Sequence, residues 1–600
     1  MKTVAQTRTD LDRALWVVDE ADIASLLDSN SRRSSRGRKR EGLDGRLFMV
    51  LMIMSAMQGK VTIQRMWEIA TGQLPRTVQW ELGIIRPDGR GGVKELTAKQ
   101  LYDMAEKLSQ HLSWTSPAAL ALSEEQRAER QATVQTISDR LVQATLVMAR
   151  VGTSLAVDES GVWCWTKGKR KPKDAPMVDP GDEDADLAAA ARSAKEAAGD
   201  DHYPTTGDDA AFLVDEDDDP QSETKPAGQD ADGEGQAVDE AEAPRKKRPP
   251  LVCPDARWGI KTTKDGKRNS YYGYALHTLV RVPNVGVEKK DAPEPLFVEV
   301  FRLTGASTDV VDVTVSMVDD VIARGGVPQD LLGDRHYSYK AWHRWAAVLM
   351  QRGMQLVHDL RSDDHGAVDY EGGKIIAGWP HCPGTPEHFD KVERPGVMAS
   401  KEEHNAFRVA IQERWAFAMQ RRKRLGTDGK TRWTCPAKAG KVGCPFVKDS
   451  VASARKYGQP VVVPPEAPTK FCEQETVQIE AGKHMKYAQE EYWGSSAWET
   501  SWNRRTYVEG VYGNLKNPNT ENIHRGFFQF VGMPLVTLAL TAAVVSYNIR
   551  EYNSWHERTG AGDPDHPLLK QTAWVHGFEM LTQEQARAID DEQTRRREAA

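Results

Sequence analysis

A chain of 600 residues has room for roughly two to four domains; with 39% hydrophobic and 28% charged residues it has the balance of a folded globular protein, not a disordered or fibrous one. The N-terminus has no apolar stretch before a small-residue cleavage site, so no secretory signal is expected. The longest apolar runs, 47–57 and 533–546, fall short of the roughly 18–20 residues that span a bilayer, so no membrane partner is expected.

The net charge of −7 averages two unlike parts. Residues 174–244 hold 23 acidic and three basic residues, a net of −20, which leaves the rest of the chain at +13. That remainder has the charge of a polyphosphate-binding protein. Six widely spaced cysteines do not make a disulfide scaffold; reduced thiols or a metal site fit better.

Residues 1–150 read as a helical N-terminal DNA-binding domain. Apolar residues recur at helical spacing over 47–69 and again over 96–122. Before the first of these lies a basic, serine-rich run, 32–40, in which Arg36, Arg38, Lys39 and Arg40 are candidate phosphate contacts. A solvated loop is the plain alternative.

The period changes near 152. Ser154-Leu155-Ala156-Val157 is a short apolar run ending at Asp158. The acidic tract, 174–250, carries too few large apolar residues to repay its ordering entropy and reads as a disordered insertion. Strands are then expected at 271–280 and 295–303, a helix at 308–323 ending in Gly325-Gly326, and a short strand at Leu331-Leu332 running into Gly333-Asp334. A helix at 339–352 and a strand at 354–358 follow. This order matches a ribonuclease-H-like mixed α/β sheet with flanking helices, whose first and fourth strands lie side by side. The core would comprise 151–173 with 251–361, then 496–560. Residues 362–495 form an insertion domain, and 561–600 a charged C-terminal tail.

Phosphodiester chemistry asks the protein to fix hard divalent cations through a few carboxylates and leave room for in-line attack between two ions. Asp158 and Asp334 close two strands where open α/β sheets bind their ligands. Glu159 is a rival for Asp158, but successive strand residues face opposite ways. A third acid, Glu509, lies in Trp502-Asn503-Arg504-Arg505-Thr506-Tyr507-Val508-Glu509-Gly510-Val511-Tyr512-Gly513-Asn514-Leu515-Lys516. On one helix, Arg505 and Glu509 would be i and i+4 neighbours with Lys516 two turns on.

Here the chain resembles the bacterial insertion-sequence DDE transposases marked by Tyr-x2-Arg-x3-Glu-x6-Lys. Arg505, Glu509 and Lys516 match in identity and spacing, while Trp502 stands where that family has tyrosine. Tyr272-Gly273-Tyr274 looks like its second-strand motif. The resemblance implies catalytic, metal-binding roles for Asp158, Asp334 and Glu509 with Mg2+ (or Mn2+), and DNA phosphate contacts for Arg505 and Lys516. An indole at 502 could stack on an unpaired base. It further implies cleavage at the ends of a mobile element, strand transfer into target DNA, a homodimer when two ends are brought together, and a bacterial cytoplasmic, nucleoid-associated location. The alternatives are a catalytically inactive descendant that binds DNA, or a ribonuclease-H-like nuclease without strand transfer.

In the insertion, Cys382, Cys435, Cys444 and Cys472 suggest a structural Zn2+ site, with His381 and His388 as spare ligands, although the Cys435–Cys444 spacing is wider than usual. Buried free thiols are the alternative.

Overall fold

The computed structural model describes residues 4–31, 43–166 except 89, 253, 255–262, 268–571 except 397, 424–428, 483, 484 and 486, and six positions between 587 and 595. The basic run 32–40 and the acidic tract lie outside the described residues.

The N-terminal region is built from α1 (Val4–Ala21), α2 (Ala24–Ser31), α3 (Gly45–Ala56), α4 (Ile63–Glu68) and α5 (Arg76–Glu81), then α6 (Ala98–Leu112) and α7 (Glu124–Ala144). Their starts are written locally. Asp44 accepts the Leu47 amide at 2.7 Å ahead of α3, and Thr97 and Ser123 form reciprocal capping boxes with Gln100 and Gln126. The apolar pattern over 47–69 does not make one helix. Gly59, at φ +74°, turns the chain between α3 and α4, and a Cβ there would meet the Thr520 carbonyl at 3.3 Å. Nor is the region wholly helical, because β1 (Ile85–Pro87) pairs antiparallel with β2 (Val93–Glu95).

The central sheet contains β3 (Ser154–Trp163), β4 (Arg257–Thr262), β5 (Arg268–Val282), β6 (Val298–Gly305), β7 (Asp330–Leu332) and β8 (Gln355–Val357). Its order is β4–β5–β3–β7–β8, with β6 also on β5. The 15-residue β5 carries β4 against its first half and β6 against its second, both antiparallel, and meets β3 antiparallel on its other edge. On the far side of β3, β7 and then β8 are parallel to it. Helix α8 (Val310–Ala323) connects β6 to β7. The expected helix at 339–352 is shorter, a 3-10 turn at Arg335–Tyr339 followed by α9 (Ala346–Gln351).

The insertion holds two three-stranded antiparallel sheets. β9 (Ala367–Tyr370), β10 (Gly373–Ile376) and β11 (Trp379–His381) form one. After α10 (Lys401–Trp415), β12 (Gln420–Lys423) and β13 (Lys430–Thr434) join β14 (Val477–Glu480) in the other. Two short helices, α11 (Ser450–Tyr457) and α12 (Lys470–Glu473), lie between β13 and β14. The chain then forms α13 (Ser496–Asn503), α14 (Thr506–Lys516) and α15 (Met533–Thr559).

The apolar run at 533 continues into a 27-residue helix, long and apolar enough to cross a membrane, but 94% of its most apolar stretch is buried in the fold. It packs against α3, α6 and α7. The N-terminal helices therefore share one core with α14, α15 and one face of the sheet. The opposite face, carrying Leu155, Val157 and Leu331, packs with α8, α9 and the insertion in a second core.

Candidate active site

The parallel pairing of β3 with β7 runs from Ser154–Asp330 to Ala156–Leu332 and stops there. Continued two residues, that register sets Asp158 level with Asp334. Asp158 does not end its strand, as the sequence suggested: β3 runs on to Trp163. What ends is its parallel neighbour, at Leu332, and Asp334 two residues further on is an electrostatic neighbour of Asp158.

Side-chain alternation decides which acid on β3 belongs there. Ala156 and Val162 point into the core shared with α14, so Asp158 lies on the face that carries Glu509's helix. Glu159 lies on the other face, where its Oε2 is 3.9 Å from Nδ1 of the buried His277. Helix α14 packs on β3 and β5 through Val508, Val511, Tyr512 and Leu515. The Tyr512 hydroxyl donates to the carbonyl oxygens of Leu276 and Asp158, at 2.7 and 2.9 Å, and accepts from Thr278 Oγ1 at 3.0 Å. That triple contact seats the helix on the strand that bears Asp158. Sequence reasoning passed over Tyr512, though it lies three residues past Glu509, on an adjoining helical face.

The electrostatics match the geometry. Burial, followed by the nearby Asp334 and Glu509 carboxylates, pushes the Asp158 pKa up to about 8. Burial likewise pushes Glu159 up to about 7. Burial, His277 being fully enclosed, lowers its imidazole to about 3. Below the acids, burial and then Asp158 and Asp334 hold the Tyr337 phenol well above its usual range. Asp334 also serves its own loop, accepting the His336 amide at 2.9 Å. The turn-capping role and the site position therefore coexist in one residue.

The Arg-Glu-Lys constellation forms differently from the single helix expected. Arg505 is the residue just before α14, with helical φ −59° and ψ −25°, so its i,i+4 ion pair with Glu509 still forms. Trp502 sits on α13, with the 503–505 turn between the two helices. Lys516 Nζ donates to Ser160 Oγ at 2.5 Å, anchoring the end of α14 to β3. Arg504, overlooked in the sequence, is buried and donates to Ser154 Oγ at 2.7 Å and the Pro283 carbonyl at 3.1 Å.

Trp502 does not offer the open stacking surface expected of it. Its indole is buried, stacked on Trp498 at 5.2 Å, with the Arg505 and Arg394 guanidiniums 4.3 and 4.7 Å from its ring centre. Arg36, Arg38, Lys39 and Arg40 lie outside the described residues. Of the spare zinc ligands, His381 has both ring nitrogens engaged, by the Trp379 carbonyl and the Tyr492 hydroxyl, and His388 is exposed.

As they lie, no three His, Cys, Asp or Glu side chains among the described residues are gathered closely enough to hold a metal ion. At the carboxylate site, Asp158 and Asp334 are adjacent while Glu509 is turned to Arg505. No protein-family profile, curated protein or solved structure matches this chain.

Proposed function

We propose that this chain is a DNA transposase of the DDE class, with Asp158, Asp334 and Glu509 as its catalytic acids. The observation that supports the reading is that Asp334, just past the end of β7, lies near enough to Asp158 on β3 to raise its carboxyl, on the sheet face covered by the helix of Glu509 and Lys516. The sheet order around β3, antiparallel on one side and parallel on the other, supports a ribonuclease-H-like catalytic core.

The donor set fits a hard divalent cation. Carboxylate oxygens are the ligands Mg2+ selects, and the repulsion from Asp334 that, after burial, raises Asp158 would be relieved by a cation between them. Asp158, Asp334 and Glu509 would hold Mg2+ or Mn2+. Bound there, the metal supplies charge stabilisation to the attacking and leaving oxygens of an in-line displacement.

The chain's own residues do the rest. Arg505 exchanges Glu509 for a backbone phosphate, which frees that carboxylate to join the Asp pair. Lys516, fixed at Ser160 two residues past Asp158 on β3, neutralises a second phosphate. The N-terminal helical region reads the element ends, and two copies bring two ends together. A bacterial cytoplasmic site at the nucleoid follows from that substrate.

Asp334→Asn tests the reading. On DNA carrying the ends that flank its own gene, the variant is expected to bind like the wild type and cleave neither strand. Equal cleavage by wild type and variant removes Asp334 from the chemistry and the proposal with it.

A further inference from the structure

Three cysteines of the insertion share one small core and a fourth, Cys472, lies near enough to bear on two of them, although 90 residues separate the first from the last. Cys382 follows β11, Cys435 follows β13, Cys444 lies in the next loop, and Cys472 is on α12. The first three are buried and supply three of the eight buried members of a small separate core, with Phe389, Phe417, Ala437, Val442 and Val462. So few apolar side chains are a weak clamp for three chain segments.

Each of those three cysteines is followed by proline, and each opens a tight turn. The Thr385 amide returns to the Cys382 carbonyl at 3.0 Å, that of Ala439 to Cys435 at 2.9 Å, and that of Val447 to Cys444 at 3.0 Å. Two of the turns aim backbone amides at sulfur: Gly384 at Cys382, and Phe446 and Val447 at Cys444. Burial pushes both thiols up, Cys382 to about 12, and these amides oppose that rise by favouring thiolate, the form that binds metal. Electrostatically, Cys382 and Cys444 each feel Cys435 and Cys472, and Cys382 feels Cys444.

We propose that Cys382, Cys435, Cys444 and Cys472 bind one structural Zn2+ that holds the insertion together. A four-sulfur set suits a tetrahedral, closed zinc site. As they lie the sulfurs are not gathered closely enough to hold an ion, so binding would draw the three loops and α12 inward and contribute to folding of the insertion. His381, tied up on both nitrogens, takes no part.

The test is elemental analysis of the full-length chain, purified without chelator, alongside Co2+ reconstitution of chain stripped of metal. About one zinc per chain is expected, and a sulfur-to-cobalt charge-transfer band on reconstitution. The double variant Cys435→Ser/Cys444→Ser is expected to lose both, while Cys164→Ser/Cys253→Ser, outside the insertion, keeps them. Because that variant could fail to fold, thiol titration of native wild type is the second readout: four thiols should be protected until chelator is added. A folded wild-type chain without zinc or a cobalt–thiolate band, and with those thiols freely reactive, overturns the proposal, as does zinc retained by the Cys435→Ser/Cys444→Ser variant. None of these readouts depends on DNA cleavage.

Discussion

Asp334, two residues past the end of β7, lies near enough to Asp158 on β3 to raise its carboxyl, because β7 ends at Leu332 while β3 runs on to Trp163. Neighbouring backbones would otherwise fill the space beside Asp158. The early end of β7 leaves Asp334 in the loop that follows, near Asp158 although 176 residues separate them.

That proximity has a pH signature. The Asp158 carboxyl, pushed from 3.8 to about 8, stays protonated in the fold where the unfolded chain has ionised it. The folded state then holds the extra proton across that window, so stability falls as pH rises through it. Glu159, raised to about 7, adds to the slope below its own value. In chelator, the wild-type melting temperature is expected to drop from about pH 5 to about pH 8. Asp158→Asn should drop less, and Mg2+ should restore the wild type but not the variant at the upper pH. Identical slopes in the two proteins would show that Asp158 is not the strained group.

Tyr512→Phe should loosen α14 from the sheet. The hydroxyl serves the Asp158 and Leu276 carbonyls and Thr278 at once, and losing a buried partner costs about 1–3 kcal/mol. Urea unfolding gives the loss. Because Asp158 sits on the freed carbonyl's own residue, cleavage should fall by more than the folded fraction explains. A variant as stable and active as wild type would remove the seating role.

Trp502 is packing, not a base-stacking platform. Trp502→Ala removes an indole held by Trp498, Arg394 and Arg505, at a cost of about 3–5 kcal/mol. Trp502→Phe keeps much of the ring contact and should recover most of that stability. Measured affinity for single-stranded DNA should be the same in Trp502→Phe and wild type. A selective loss of single-strand binding in the folded Phe variant would return the indole to the DNA.

Much of this was legible in the residues themselves. The apolar runs ending at Asp158 and Asp334 marked their strands because buried parallel strands need continuous apolar sequence. Helical spacing found the amphipathic elements but not their breaks: Gly59 splits the first long pattern, and the turn at 503–505 separates Trp502 from α14. β4 escaped notice because it follows the acidic tract and pairs only locally with β5. The position of Trp502 against two arginines, and of Tyr512 on two carbonyls, depends on contacts between distant segments that spacing does not encode.

The most direct measurement offers pre-cut donor ends and a target plasmid to the wild-type chain in Mg2+ and looks for joined DNA. The account predicts joined products with wild type and none with Asp158→Asn, Asp334→Asn or Glu509→Gln. Cleaved ends that are never joined would make the chain a nuclease, and end binding with neither reaction would make it a DNA-binding protein without catalysis. Either result contradicts the transposase reading.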